Sequence, residues 1–146
     1  MKLNIAYSCD DTYIPHTGIS MLSLLENNKE VEEIDLYLVA KDVSQKSLNQ
    51  LKQLVNSYKR NLVVISFYDL CADLKIKTLG RHIETVYSKL FFSGIPDIDK
   101  IIYIDSDTII NSSLTEFWKI DLSNYLLAGV STYTVASKKL LSLDTG

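Results

Sequence analysis

Lys100-Ile101-Ile102-Tyr103-Ile104-Asp105-Ser106-Asp107 is the stretch on which the fold of this chain turns. Ile101 to Ile104 form the most hydrophobic strand candidate in the sequence, and an acidic triplet follows at once. Near-continuous apolar strands belong to parallel sheets covered on both faces. Such sheets collect ligands at the carboxyl ends of their strands, where Asp105 stands. In an extended backbone, residues two apart point to the same side, so Asp105 and Asp107 can offer carboxylate oxygens to one ion. Oxygen ligands suit Mg²⁺ or Mn²⁺, which keep positions open for phosphate oxygens and water. Such a cation neutralises negative charge that builds up on a departing diphosphate. The triplet alone is weak evidence, because the chain's aspartates predict about one chance Asp-x-Asp from composition. A second one, Asp97-Ile98-Asp99, follows Pro96 and reads as a solvated turn.

Upstream, the same strand signal recurs with helical patterns between its copies. Leu3 to Ser8 is a short apolar run ended by polar residues from Cys9 to Thr12. A helix is expected from Pro15 or Thr17 to Glu26, since Pro suits a first turn and Ile19, Met21, Leu22, Leu24 and Leu25 give it an apolar face; Asn27-Asn28 stops it. Ile34 to Ala40 reads as a second strand, and Ser44 can cap a helix whose Leu48, Leu51, Val55 and Tyr58 share a stripe. Leu62 to Phe67 is a β-branched third strand. An irregular polar stretch through Gly80 leads to a helical segment over Thr85 to Phe92, terminated by Gly94 and Pro96. After the acidic triplet, Leu114 to Trp118 predicts a short helix and Leu126 to Thr132 another strand. Strands alternating with helices imply right-handed crossovers and an α/β fold with a mostly parallel sheet.

Bulk properties narrow the function. The 146 residues match one ordinary domain, and 47% hydrophobic with 23% charged is a globular composition. A formal net charge of −3 with no basic block argues against polymeric nucleic acid as a partner. Met1-Lys2-Leu3 runs directly into strand-like sequence, and no apolar run reaches membrane-spanning length, so a cytoplasmic location is expected. Cys9 and Cys71 have no metal-site spacing and read as reduced, buried thiols.

Taken together, three groups of residues resemble glycosyltransferase family 8, the retaining enzymes of the glycogenin and bacterial galactosyl- and glucosyltransferase type. They are Asn4-Ile5-Ala6-Tyr7-Ser8-Cys9-Asp10-Asp11-Thr12-Tyr13, then Tyr87-Ser88-Lys89-Leu90, then Ile102 to Thr108 with Ser113-Leu114-Thr115-Glu116-Phe117-Trp118 and Asp121-Leu122. The resemblance covers essentially the whole chain, and its last group is the specific one. It implies a GT-A, Rossmann-like nucleotide-sugar-binding fold in which Asp105 and Asp107 bind Mn²⁺ or Mg²⁺ and Asp105 and Ser106 also border the nucleotide. By position, it implies that Ala6 contacts the uracil through its backbone, Asp10 hydrogen-bonds the base and Tyr13 stacks on it. Thr12 stands where a ribose-contacting residue, often Asn, is expected. Lys89 stands where Arg is usual, near the phosphates or donor sugar, and replaces a planar fork by a point charge.

The same resemblance implies that residues 1–146 are the donor-nucleotide part of a longer catalytic domain, C-terminally truncated. An Asn-Ala-Gly-type acceptor segment and a late metal-binding His are expected beyond Gly146, and His16 and His82 read as ordinary structural or surface residues. The expected activity of the parent enzyme is hexosyl transfer with retention, from UDP-glucose or UDP-galactose to a glycan, glycolipid or glycoprotein hydroxyl. A role in cell-surface polysaccharide synthesis at the inner face of the membrane follows from the same likeness. Apolar surface left uncovered by the missing part predicts self-association. Two alternatives differ in class. One is a non-catalytic, truncated UDP-binding module. The other is a haloacid-dehalogenase-type phosphatase, which also places Asp-x-Asp after a parallel strand but wants Thr or Val two positions after the second Asp, where this chain has Ile109, and carries the motif near the start of its domain.

Overall fold

A computed structural model describes residues 1–70, 92, 95 and 98–129. Four parallel strands form one sheet in the order β3-β2-β1-β4. The strands are β1 (Lys2–Asp10), β2 (Glu33–Lys41), β3 (Asn61–Ser66) and β4 (Ile102–Tyr103). The helices are α1 (Ile14–Asn27), α2 (Gln45–Ser57), α3 (Phe67–Leu70) and α4 (Thr115–Trp118).

The burial of β1 explains why its sequence alternates so poorly. Successive side chains enter opposite faces of the sheet, and both faces are covered. Leu3, Ile5, Tyr7 and Cys9 point into one core with Ile34, Leu36 and Leu38 of β2, Ile102 and Ile104, and Ile14, Met21, Leu24 and Leu25 from the α1 side. Ala6 points the other way, into a second cluster with Tyr37, Val39, Phe67 and Phe92. The buried positions, Leu3 and Ile5 to Cys9, are therefore apolar or small, although the two faces remain distinct.

Helix ends follow local chemistry. Ser44 caps α2 by accepting from the Ser47 amide, as expected from the sequence. At the other end of α2, Lys59 takes a left-handed conformation with φ 55°, and the Arg60 amide reaches back to the Val55 carbonyl. The Arg60 guanidinium then bonds the carbonyls of Val31 and Glu32, fixing the entry to β2.

Three expectations are corrected. Phe67 does not extend β3: the ladder with β2 ends at Ala40 and Ser66, and the Ser66 hydroxyl accepts from the Asp69 amide, so Phe67 opens α3 and enters the second core. The apolar run before Asp105 forms a ladder only over Ile102–Tyr103, prolonged by the Ile104 amide bonding the Ala6 carbonyl. Leu126 to Gly129 form no strand, and Leu126 and Leu127 are exposed, without the cover that a central strand has on both faces. The expected helix around Thr85 and the Gly94-Pro96 stop lie outside the described residues, as do residues 130–132. Among the described residues no helix is long and apolar enough to cross a membrane.

Candidate functional site

In the order β3-β2-β1-β4, the chain passes from β1 to β2 on one side and returns to β1's other side with β4. That reversal makes the carboxyl ends of β1 and β4 the switch point, the place where doubly wound sheets bind their ligands. Two acidic turns meet there.

The first follows β1. The Asp10 carboxylate accepts from the amides of Thr12 (3.0 Å) and Tyr13 (3.3 Å), capping a 3₁₀ turn over Asp11–Tyr13. Asp11 reaches sideways to accept from the Ser44 amide at 3.0 Å, which ties this turn to the start of α2 and holds its carboxyl below the usual range. Thr12 is exposed, and the Tyr13 ring is 43% exposed with its centroid 5.5 Å from the His16 ring. An aromatic face in that position is open to stacking.

The second turn follows β4. The Thr108 amide donates to the Asp105 carbonyl at 3.2 Å, closing a turn with Ser106 and Asp107 at its centre. Asp105 and Asp107 are thus presented by a turn and not by extended strand, yet the alternation survives: both are exposed and Ser106 between them is buried. The Ser106 hydroxyl donates to the Ser8 carbonyl at 3.2 Å and stitches the two strand ends together.

Tyr103 is a site residue that the sequence reading missed. Its ring stacks on Phe92, and its hydroxyl is hydrogen-bonded to Asp105. Burial first, then the Asp105 and Asp107 carboxylates, push its ionisation well above the ordinary tyrosine range. It therefore stays a neutral donor at physiological pH. Its position directly before Ile104-Asp105 was visible, but in sequence it read only as part of the apolar strand and of the motif that follows it.

Asp10, Thr12, Tyr13, Asp105, Ser106 and Asp107 are brought to one end of the sheet. Ala6 is not. It is fully buried inside the ladder, four residues short of the end of β1, and its carbonyl is taken by the Ile104 amide. The residue of β1 whose backbone faces the second turn is Ser8. Lys89 and His82 lie outside the described residues, as does Asp97 of the other Asp-x-Asp. His16 is exposed on α1, as an ordinary surface residue would be. Cys9, behind the first turn, is buried, and its thiol is pushed up to about 11 mainly by that burial.

Two hard carboxylate ligands, exposed at a strand end, fit a divalent cation that completes its shell with phosphate oxygens and water. Among the described residues neither has a Lys or Arg within ion-pair distance. Nor, among the described residues, do three or more His, Cys, Asp or Glu side chains gather into a complete metal cage. The fit is that of a half-built site.

Comparison with known proteins agrees with this geometry. The family model described as Glycosyl transferase family 8 matches residues 4–143. A putative glycosyltransferase of Haemophilus influenzae is 29% identical over 148 residues, covering 97% of this chain and 44% of that protein. The chain thus spans less than half the length of that relative. Among solved structures, the WbbM bifunctional glycosyltransferase superposes with a TM-score of 0.70 at 23% identity, over 83% of this chain and 21% of the other. The galactosyltransferase LgtC, solved in complex with donor and acceptor sugar analogues, gives 0.65 at 22% identity, over 82% of this chain and 43% of the other. Both carry the GT-A fold seen here.

Proposed function

The chain belongs to glycosyltransferase family 8, and from that premise we propose that it forms the donor half of an enzyme that transfers a hexose from a UDP-sugar to a hydroxyl acceptor, with retention of anomeric configuration. The observation that carries the reading is the meeting of the Asp10–Tyr13 turn and the Asp105–Thr108 turn at the switch point of the sheet. An aromatic ring and hydrogen-bonding groups on one side suit a base and ribose, and paired carboxylates on the other suit a cation on a diphosphate.

In this reading Asp105 and Asp107 hold Mn²⁺ or Mg²⁺, which supplies electrostatic stabilisation to the diphosphate leaving group. Tyr13 stacks on the uracil, Asp10 hydrogen-bonds it, Thr12 and Ser106 border the ribose, and Lys89 approaches the phosphates. The backbone contact first assigned to Ala6 passes to Ser8, which stands nearer the strand end. Tyr103 donates to Asp105 and steadies the carboxylate. The acceptor is a glycan, glycolipid or glycoprotein hydroxyl.

Calorimetry with UDP, with and without Mn²⁺, tests the reading. Metal-dependent UDP binding is the expected result, and absence of any UDP binding defeats it. Metal-dependent binding with no transfer from UDP-glucose or UDP-galactose identifies this chain as a donor-binding module. The phosphatase alternative has lost its support, since the Asp pair follows the fourth of the described strands and not the first.

A further inference from the structure

Helix α1 carries a buried polar face whose purpose is not evident from its sequence. Thr17 and Ser20 are fully buried, and Asn28 just past the helix is 1% exposed. Polar groups in such places are costly unless each finds a partner. Thr17 donates to the Tyr13 carbonyl one turn back, and the other partners of this side of the helix lie on the segment after β4. The Ser23 hydroxyl accepts from the Ile110 amide (2.9 Å), the Asn27 side chain donates to the Ile110 carbonyl (2.9 Å), and the Asn28 side chain accepts from the Leu114 amide (2.7 Å). Ser20 lies one turn before Ser23 on the same side of the helix. Its hydroxyl is 3.2 Å from that of Thr108 and 3.2 Å from that of Tyr7.

Proton counting gives this row of hydroxyls a direction. Thr108 spends its one hydroxyl hydrogen on the Asp105 carbonyl, 2.7 Å away. It must therefore accept from Ser20. Ser20 has then spent its own hydrogen and must accept from Tyr7. Tyr7 is fully buried on β1, and burial disfavours its ionisation, so it remains a donor. The relay runs Tyr7 to Ser20 to Thr108 to the Asp105 main-chain oxygen. A carbonyl that accepts from both the amide and the hydroxyl of Thr108 is fixed in direction. Its carboxylate side chain then starts from a fixed backbone.

We infer that Ser20 and Thr108 are positioning residues whose hydroxyl relay, anchored on Tyr7, aims the Asp105 carboxylate for a divalent cation. The inference rests on the cation reading given above. Neither hydroxyl touches the cation; each acts through the backbone of Asp105. Outer partners that orient metal ligands typically control affinity by 10- to 100-fold when removed.

Thr108→Val keeps the shape of the side chain and deletes the hydroxyl, whereas Thr108→Ser keeps the hydroxyl. Mn²⁺ affinity in the presence of UDP, read from the electron paramagnetic resonance signal of free Mn²⁺, separates them. Thr108→Val should weaken Mn²⁺ binding by about tenfold. Thr108→Ser should stay within about twofold of the unaltered protein, because the relay is intact. Ser20→Ala, which breaks the relay from the helix side, serves where Thr108→Val does not fold and should weaken binding to a similar extent. Thermal midpoints are measured in parallel, since a purely structural role lowers the midpoint without moving the affinity of the folded protein. Unchanged Mn²⁺ affinity in folded Thr108→Val or Ser20→Ala overturns the inference and leaves the cation site standing. Failure of the unaltered protein to bind Mn²⁺ with UDP overturns the cation reading and the relay's role with it.

Discussion

The turns that follow β1 and β4 both begin with aspartate, and they use that residue in opposite ways. Asp10 closes its turn with its side chain, accepting from the amides of Thr12 and Tyr13. Asp105 closes its turn with its main-chain carbonyl, which accepts from the amide and hydroxyl of Thr108, while its carboxylate meets the Tyr103 hydroxyl. In the first case one carboxylate oxygen, Asp10 Oδ1, belongs to the scaffold. In the second, the scaffold is built from backbone, and the carboxylate is held out for other use. Which acceptor closes a turn therefore decides how much of an acidic side chain at a strand end is left for a ligand: one oxygen of Asp10, against the carboxylate of Asp105.

The contrast breaks most sharply under substitution of the paired carboxylates. Asp105→Ala or Asp107→Ala should abolish the Mn²⁺-dependent part of UDP binding, measured by calorimetry, with little change in thermal midpoint; retained metal dependence would remove these residues from the site. Next in size is Tyr13. Tyr13→Ala should weaken UDP binding about tenfold or more, because base stacking contributes roughly 1–3 kcal/mol, and Tyr13→Phe should restore it. Equal loss in both variants would mean that the ring does not stack.

Asp10→Ala tests the scaffold side of the comparison. Loss of a cap of this kind costs about 1 kcal/mol of folding stability, which urea denaturation resolves, and Asp10→Asn should recover most of it because Asn caps equally well. A stable Asp10→Ala protein would contradict the architectural role. The smallest effect concerns its neighbour. The Asp11 carboxyl is depressed in the folded state by the Ser44 amide, so its contribution is present above the unfolded carboxylate range, near pH 4, and is lost as pH falls through the folded value. Asp11→Asn should therefore flatten the acid limb of the stability profile below about pH 4 and leave neutral pH little altered in slope.

Much of this was legible in the sequence, for a definite reason. Apolar runs announced β1 and β2 because strands covered on both faces must be apolar throughout, and Ser44 announced α2 because capping is a local act. The acidic triplet was found because a strand stood before it. What escaped was non-local. Nothing near Ser20, Ser23, Asn27 and Asn28 says that they hold residues 83–88 positions further on; Asn27 and Asn28 read only as the stop of a helix. Tyr103 read as part of a strand because its neighbours are apolar, while its hydroxyl answers to an aspartate two residues later. Ala6 was assigned to the site by likeness alone, and the register of β1 against β4 buries it. Phe67 looked like strand because the end of a ladder depends on the length of its partner.

The strand order carries a consequence for how the molecule comes into being. Met1 and Glu32, at the start of the β1–β2 pairing, are 31 residues apart, whereas Asn4 and Lys100, beside the β1–β4 pairing, are 96 apart. Closing the longer loop costs about 1 kcal/mol more in chain entropy, and topology of this kind slows the step that depends on it. The β1–β3 unit can assemble from consecutive segments, and the two acidic turns are then expected to meet late in folding. Pulse-labelled hydrogen exchange should accordingly protect the β1 and β2 amides before that of Ile104. Assembly of the candidate site would then be a late kinetic event, reached only after most of the sheet is in place.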